Sequence, residues 1–220
     1  MCLTVKLFFI MDSKNKKKDD QKKSTKSNGN SKSQSKSQSK STSAAQKKKQ
    51  ARFGEEHEGK LLEFFVDEVK DIYFAEHEAL KALKKMEKAA TSKALKDSIV
   101  QHHGETEEQI KRLEQVFELL GEKPSKKKCE GILGIIKDGE GVIEDTEENT
   151  MVRDVAVIIA SQKLEHYEIT SYGSLAELAR TLGKDDVAEL LEVTLDEEKK
   201  TDVSLTVLAE ESINEEASNE

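Results

Sequence analysis

Residues 150–182 read TMVRDVAVIIASQKLEHYEITSYGSLAELARTL, and Val155, Ile158, Gln162, Glu165, Glu168, Tyr172, Leu175 and Ala179 recur within them every three or four places. That spacing marks one face of a long α-helix. Gly183 is a stop signal, and Asp185 or Asp186 opens a further helix that turns Val187, Leu191, Leu195, Glu198, Asp202, Leu205 and Leu208 to the same side. From about residue 212 the chain is expected to fray into an acidic tail.

The same periodicity extends toward the N-terminus. A first candidate helix, about 56–90, carries Leu62, Phe65, Val69, Ile72, Glu76, Ala79, Leu83 and Met86 on one face. A second, about 92–120, carries Leu95, Ile99, His102, Glu105, Gln109, Leu113, Val116 and Leu120, with Thr91 or Ser92 to cap its start and Gly121 to end it. A Lys-rich link with Pro124 leads to a weaker amphipathic piece at about 129–145 (Ile132, Leu133, Ile135, Ile136, Val142, Ile143), whose task is to carry the chain across the bundle. The prediction is an all-α, ferritin-like four-helix bundle of two antiparallel hairpins with a short crossover helix.

Polar residues interrupt all four apolar faces: Glu76; His102, Glu105 and Gln109; Glu165 and Glu168; Glu198 and Asp202. Asp and Glu are rarely buried unless paired or bound. Depth sharpens the pattern. Glu76 lies 15 residues before the turn at Thr91 and Glu105 14 after it, while Glu168 and Glu198 each lie 15 residues from Gly183. At a rise of about 1.5 Å per residue the four carboxylates share one level if the hairpins pack in register. Ionised carboxylates in an apolar layer need a compensating cation, and a pair of divalent metals supplies it. Oxygen ligands with a histidine suit iron or manganese, with zinc as an alternative. The competing reading has the acids protonated, hydrogen-bonded to Gln109, Gln162 and Tyr172, or turned to a wet edge.

Composition bounds the rest. The 220 residues hold one Pro and no Trp, which fits long helices, and 35% hydrophobic content fits one core. Residues 1–52 carry 15 Lys and Arg against 3 Asp, a net +12, leaving about −20 for the remainder. Nucleic-acid affinity, as non-specific phosphate contact, would therefore reside in residues 12–52, and the acidic body would repel phosphate. That segment is Lys-, Ser- and Gln-rich, lacks aromatic residues for base stacking, and is expected to be disordered. The bland alternative is a solubilising tail. The expected division is a tail at 1–54 and a helical domain at 55–217.

Two cysteines, Cys2 and Cys129, form no disulfide framework or Cys-rich metal motif, so the chain reads as intracellular. The apolar opening at residues 2–10 is too short to span a membrane and is broken by Lys6. Met11 is an alternative start to Met1.

Several segments resemble the YciE/YciF-type family of ferritin-like bacterial stress proteins. They are Asp71-Ile72-Tyr73-Phe74-Ala75-Glu76; Glu105-Thr106 with Gln109-Ile110; Lys127-Lys128-Cys129; Glu165-His166-Tyr167-Glu168-Ile169; Ser171-Tyr172-Gly173; and Thr194-Leu195-Asp196-Glu197-Glu198-Lys199. The resemblance spans about 60–209. It implies a homodimer with a di-iron site whose reaction is not established.

The sequence departs from the Glu-x-x-His pattern of wider ferritin-like proteins, because Glu108 follows Glu105 and Thr201 follows Glu198 at that spacing. His102 precedes its glutamate instead. Expected metal ligands are Glu76, Glu105, Glu168 and Glu198, with His102, Glu165, Gln109 and Asp202 completing the set. His166 is read as structural, and His57, His77 and His103 as surface residues. The expected role is oxidation of ferrous iron or peroxide scavenging in stress. The alternative is a non-catalytic structural or interaction protein, tethered to nucleic acid through the basic tail.

Overall fold

The computed structural model describes residues 44–220, with side chains from residue 59 onward. The expected disorder of the tail, its basic charge and Cys2 lie outside the described residues as far as residue 43. Six α-helices follow: α1 (Ala44–Ala89), α2 (Lys93–Leu120), α3 (Glu130–Glu144), α4 (Met151–Thr181), α5 (Asp185–Leu208) and, after a wider π-type turn at Ala209–Ile213, α6 (Asn214–Ser218). Helix α1 begins twelve residues before the periodicity placed its start. The run from Ala44 through Gln50 consists of Ala, Gln and Lys, all good helix formers, so it continues the helix without an apolar face.

Helices α1 and α2 form one hairpin and α4 and α5 the other, with α1 against α4 and α2 against α5. The hairpins point in opposite directions. The α1–α2 turn lies beside the start of α4, where Asp154 is fully buried and accepts from the Thr91 and Ser92 amides at 2.5 and 2.6 Å. Neither Thr91 nor Ser92 caps α2 through its own side chain, contrary to the expected cap. A carboxylate from the neighbouring helix binds the free amides there and ties the hairpins together. Thr150 caps α4 by accepting from the Arg153 amide. Gly121 and Gly183 end α2 and α4 with φ of 71° and 68°, a region that glycine enters without a Cβ clash.

Helix α3 carries the chain from the end of α2 back to the start of α4, packing on α4 and α1. It comes close to α4 at Gly139, where a Cβ would stand 3.0 Å from that of Ala160. The acidic tail expected after residue 212 is instead folded. Ile213 is fully buried, and the Glu220 carboxylate accepts from the Met151 and Val152 amides at the start of α4. One apolar side chain and one anion on a helix N-terminus hold a segment that charge alone marked as frayed.

The core is divided. One apolar cluster, with Phe65, Phe117 and Leu191, fills the end near the α4–α5 turn, and another, with Leu83, Leu95 and Leu205, fills the end near the α1–α2 turn. Between them the bundle buries Glu76, His102, Thr106, Gln109, Glu165, Glu168, Thr194 and Glu198.

Candidate metal centre

Each long helix contributes to this middle layer: α1 gives Glu76, α2 His102, α4 both Glu165 and Glu168, and α5 Glu198. The three-residue step from Glu165 to Glu168 keeps both on one face of α4. Ligand atoms of His102, Glu165, Glu168 and Glu198 all lie within 4.8 Å of one another. Glu76 completes the layer, with one carboxylate oxygen held by a very short hydrogen bond from the Tyr172 hydroxyl.

Both carboxylate oxygens of Glu165, Glu168 and Glu198, and the second oxygen of Glu76, are buried without a hydrogen-bond partner. His102 Nε2 stands 3.1 Å from Glu165 Oε1 and 3.9 Å from Glu198 Oε2, within ion-pair range but off the line that a hydrogen bond requires. Buried polar atoms are nearly always paired in folded proteins, so seven unpartnered carboxylate oxygens in one layer form a group that could hold a metal ion.

The electrostatics follow from the crowding. Burial pushes Glu76 up to about 7 against the pull of the Tyr172 hydrogen bond and the His102 charge. Burial, and then the neighbouring carboxylates, hold Glu168 and Glu198 well above the usual carboxylate range. For His102 burial opposes the charge, yet Glu165 and Glu105 lift it to about 10. Burial and Glu76 keep the Tyr172 hydroxyl protonated well beyond its ordinary range. Glu168, Glu198 and the His102 ring thus favour their protonated forms, as Glu76 does below about pH 7, where a bound metal would otherwise balance the charge.

Five of the eight expected ligands meet here, and three do not. Glu105 is 33% exposed, accepts from Gln101, and lies 3.8 Å from His102 Nδ1, on the far side of the ring from the layer. The inward stripe of α2 runs through His102, Thr106, Gln109 and Leu113, which leaves Glu105 on its edge. Gln109 is fully buried at the edge of the layer: its amide nitrogen donates to Glu197, a carboxylate also clamped by Arg112 at 2.9 and 3.0 Å, and its Oε1 is buried without a partner. Asp202 accepts from Gln162 and pairs with His166 at 3.2 Å. His166 itself is 70% exposed. Periodicity did not disclose the Arg112–Glu197 clamp. The only signal was that Arg112 lies three residues beyond an inward Gln109.

This interior and this topology define a ferritin-like helical bundle with a buried carboxylate–histidine cluster. The chain belongs to the family described as a domain of unknown function, DUF892, whose model matches residues 60–218. It is 44% identical over 156 residues to protein YciF of Escherichia coli strain K12, which covers 70% of this chain and 93% of that protein. The crystal structure of the E. coli stress protein YciF matches with a TM-score of 0.66 at 43% identity, covering 70% of this chain and 97% of that one. YcfI of Rhodopseudomonas palustris, described as a candidate structural protein, matches with a TM-score of 0.65 at 38% identity over 66% of this chain and 92% of its own. Among the described residues no helix is long and apolar enough to cross a membrane.

Proposed function

We propose that the protein binds two divalent metal ions, iron foremost, between Glu76, His102, Glu165, Glu168 and Glu198, and uses them to oxidise ferrous iron or consume peroxide during stress. The observation that carries this reading is the set of buried carboxylate oxygens without partners, beside an imidazole nitrogen. Oxygen donors with one nitrogen suit iron and manganese, and carboxylates from opposed helices are the usual means of holding two ions in a bundle core. Bound metal would supply Lewis acidity and, for iron, electron transfer. The chain's own residues do the rest. Tyr172 fixes one oxygen of Glu76, and the apolar clusters at both ends keep bulk water from the layer. The E. coli relative's description as a stress protein supports the physiological setting.

A second reading, a structural protein that keeps the cluster without turnover, is favoured by the description of YcfI. Anaerobic reconstitution with ferrous iron, manganese or zinc, followed by elemental analysis, tests the metal reading. About two ions per chain are expected, falling away in a Glu168→Gln, Glu198→Gln double variant. No stoichiometric metal with any of the three would overturn it. Oxygen or peroxide consumption by the iron-loaded protein then separates catalysis from structure.

A further inference from the structure

We propose that the polar cleft between α2 and α5 is the route by which hydrated divalent cations reach the buried layer, with Glu105 as the carboxylate that hands them inward. The inference rests on the metal reading above and adds a path to it. The cleft has a volume of about 450 Å³. At roughly 30 Å³ per water this holds on the order of ten waters, enough to keep a cation hydrated on its way in. Gln101, Lys200 and Ser204 form its outer part, and Glu105, Thr201 and His102 its inner part.

One aromatic ring separates this cleft from the cluster. His102 is 3% exposed yet lines the cleft. Its Nδ1 faces outward to Thr201 Oγ1 at 3.4 Å and Glu105 Oε2 at 3.8 Å, and its Nε2 faces inward to Glu165 at 3.1 Å. A cation on Glu105 is therefore one imidazole's width from the buried carboxylates. The other nearby acid, Glu197, is held by Arg112 and Gln109, whereas Glu105 accepts from Gln101 at Oε1 alone and keeps Oε2, 3.8 Å from His102, for an arriving ion.

The remaining approaches are poor ones for a dication. Both ends of the layer are closed by apolar side chains, and an ion that leaves water needs oxygen donors in exchange. The larger cavity, about 900 Å³ between α3 and α4, is lined by Glu130, Asp138 and His166 as well as Ile135 and Ile159, but by none of the five cluster residues, so an ion held there does not reach the layer. Lys200 sits at the mouth of the α2–α5 cleft as a fixed positive charge, which slows cation arrival and makes the route open to manipulation.

The test is stopped-flow loading of the full chain, stripped of metal by chelator, with cobalt(II), read by its visible absorbance, alongside the cobalt bound at equilibrium. At low salt Lys200→Glu should speed loading about threefold to tenfold, and the gain should shrink as ionic strength rises. Ser204→Trp, which fills the cleft, and Glu105→Gln should each slow loading about tenfold while leaving the final cobalt content unchanged. Lys163→Glu, the same charge change beside the α3–α4 cavity, should leave the rate as it is. Unchanged rates in both Lys200→Glu and Ser204→Trp, or an equal effect of Lys163→Glu, would overturn the route while leaving the metal reading intact. Loss of bound cobalt in Glu105→Gln would make Glu105 a ligand and overturn its role in transfer. Absence of cobalt binding by a chain that takes up ferrous iron, manganese or zinc would overturn the route alone, and absence of all four metals would overturn both readings.

Discussion

At the two ends of the bundle Phe65, Phe117, Leu83 and Leu95 are buried among other apolar side chains, whereas the layer between them holds four glutamates and a histidine at the same depth. Burial stabilises the ends at about 25 cal/mol per Å² of apolar surface. In the middle the same burial works against the fold, because four carboxylates lose water and share one hydrogen bond, from Tyr172 to Glu76, and one neighbouring imidazole, that of His102. Apolar stabilisation and buried charge thus occupy different slabs of one core, and variants in each slab separate their effects.

The largest expected effect is at an end. Phe117→Ala should cost about 3–5 kcal/mol in urea unfolding, and by the same amount with and without metal; a metal-dependent cost would mean that the slabs are not separable. Next comes the layer. Saturating metal should stabilise the unmodified chain by about 4 kcal/mol at a thousandfold excess over Kd. A Glu168→Leu, Glu198→Leu variant should lose that response, yet in chelator be more stable than the unmodified chain by about 1–4 kcal/mol. A destabilised variant would show that the carboxylates hold the bundle together without metal.

The pH dependence distinguishes the slabs in another way. Glu76 is lifted from 4.5 to about 7 and His102 from 6.5 to about 10, so the folded chain holds more protons than the unfolded one. The associated stability is present below pH 4.5 for Glu76 and is lost as pH rises through 7; His102 adds a loss of the same sign between 6.5 and 10. In chelator, the Tm followed by circular dichroism should therefore fall across this range, and saturating metal should flatten the fall. A Tm that rises with pH in chelator would contradict the assignment. Tyr172→Phe should cost about 1–3 kcal/mol by leaving a buried oxygen of Glu76 without its donor. Smallest, Asp154→Ala should cost about 0.5–2 kcal/mol through the two amides it leaves unpaired, with metal content unaffected.

The helices were legible because burial imposes a 3.6-residue rhythm on the chain, and the interruptions of that rhythm led to Glu76, His102, Glu165, Glu168 and Glu198. Counting from the turns picked Glu76, Glu168 and Glu198 on three helices, and on α2 it picked Glu105 where His102, three residues earlier, is the buried side chain. It could not rotate the helices. Glu105 is level with the layer but sits on the edge of its helix's stripe, and depth says nothing of angle. Asp154 was hidden for a different reason. Its partners are backbone amides of another hairpin, and no side-chain pattern records them. The C-terminal segment misled because its acidic composition outweighed a single buried residue, Ile213.

The contact at Gly139 places an adjusting screw on the outside of the bundle. One added carbon there would favour α3 by about 1 kcal/mol as a helix, and would press on Ala160, whose Cβ is rooted in α4 and has little room to swing aside. Ala160 precedes Glu165 by five residues on α4, so the strain would reach the carboxylates as a displacement of their helix. Gly139 therefore lets the crossover lie against α4 at a distance that a larger residue would widen.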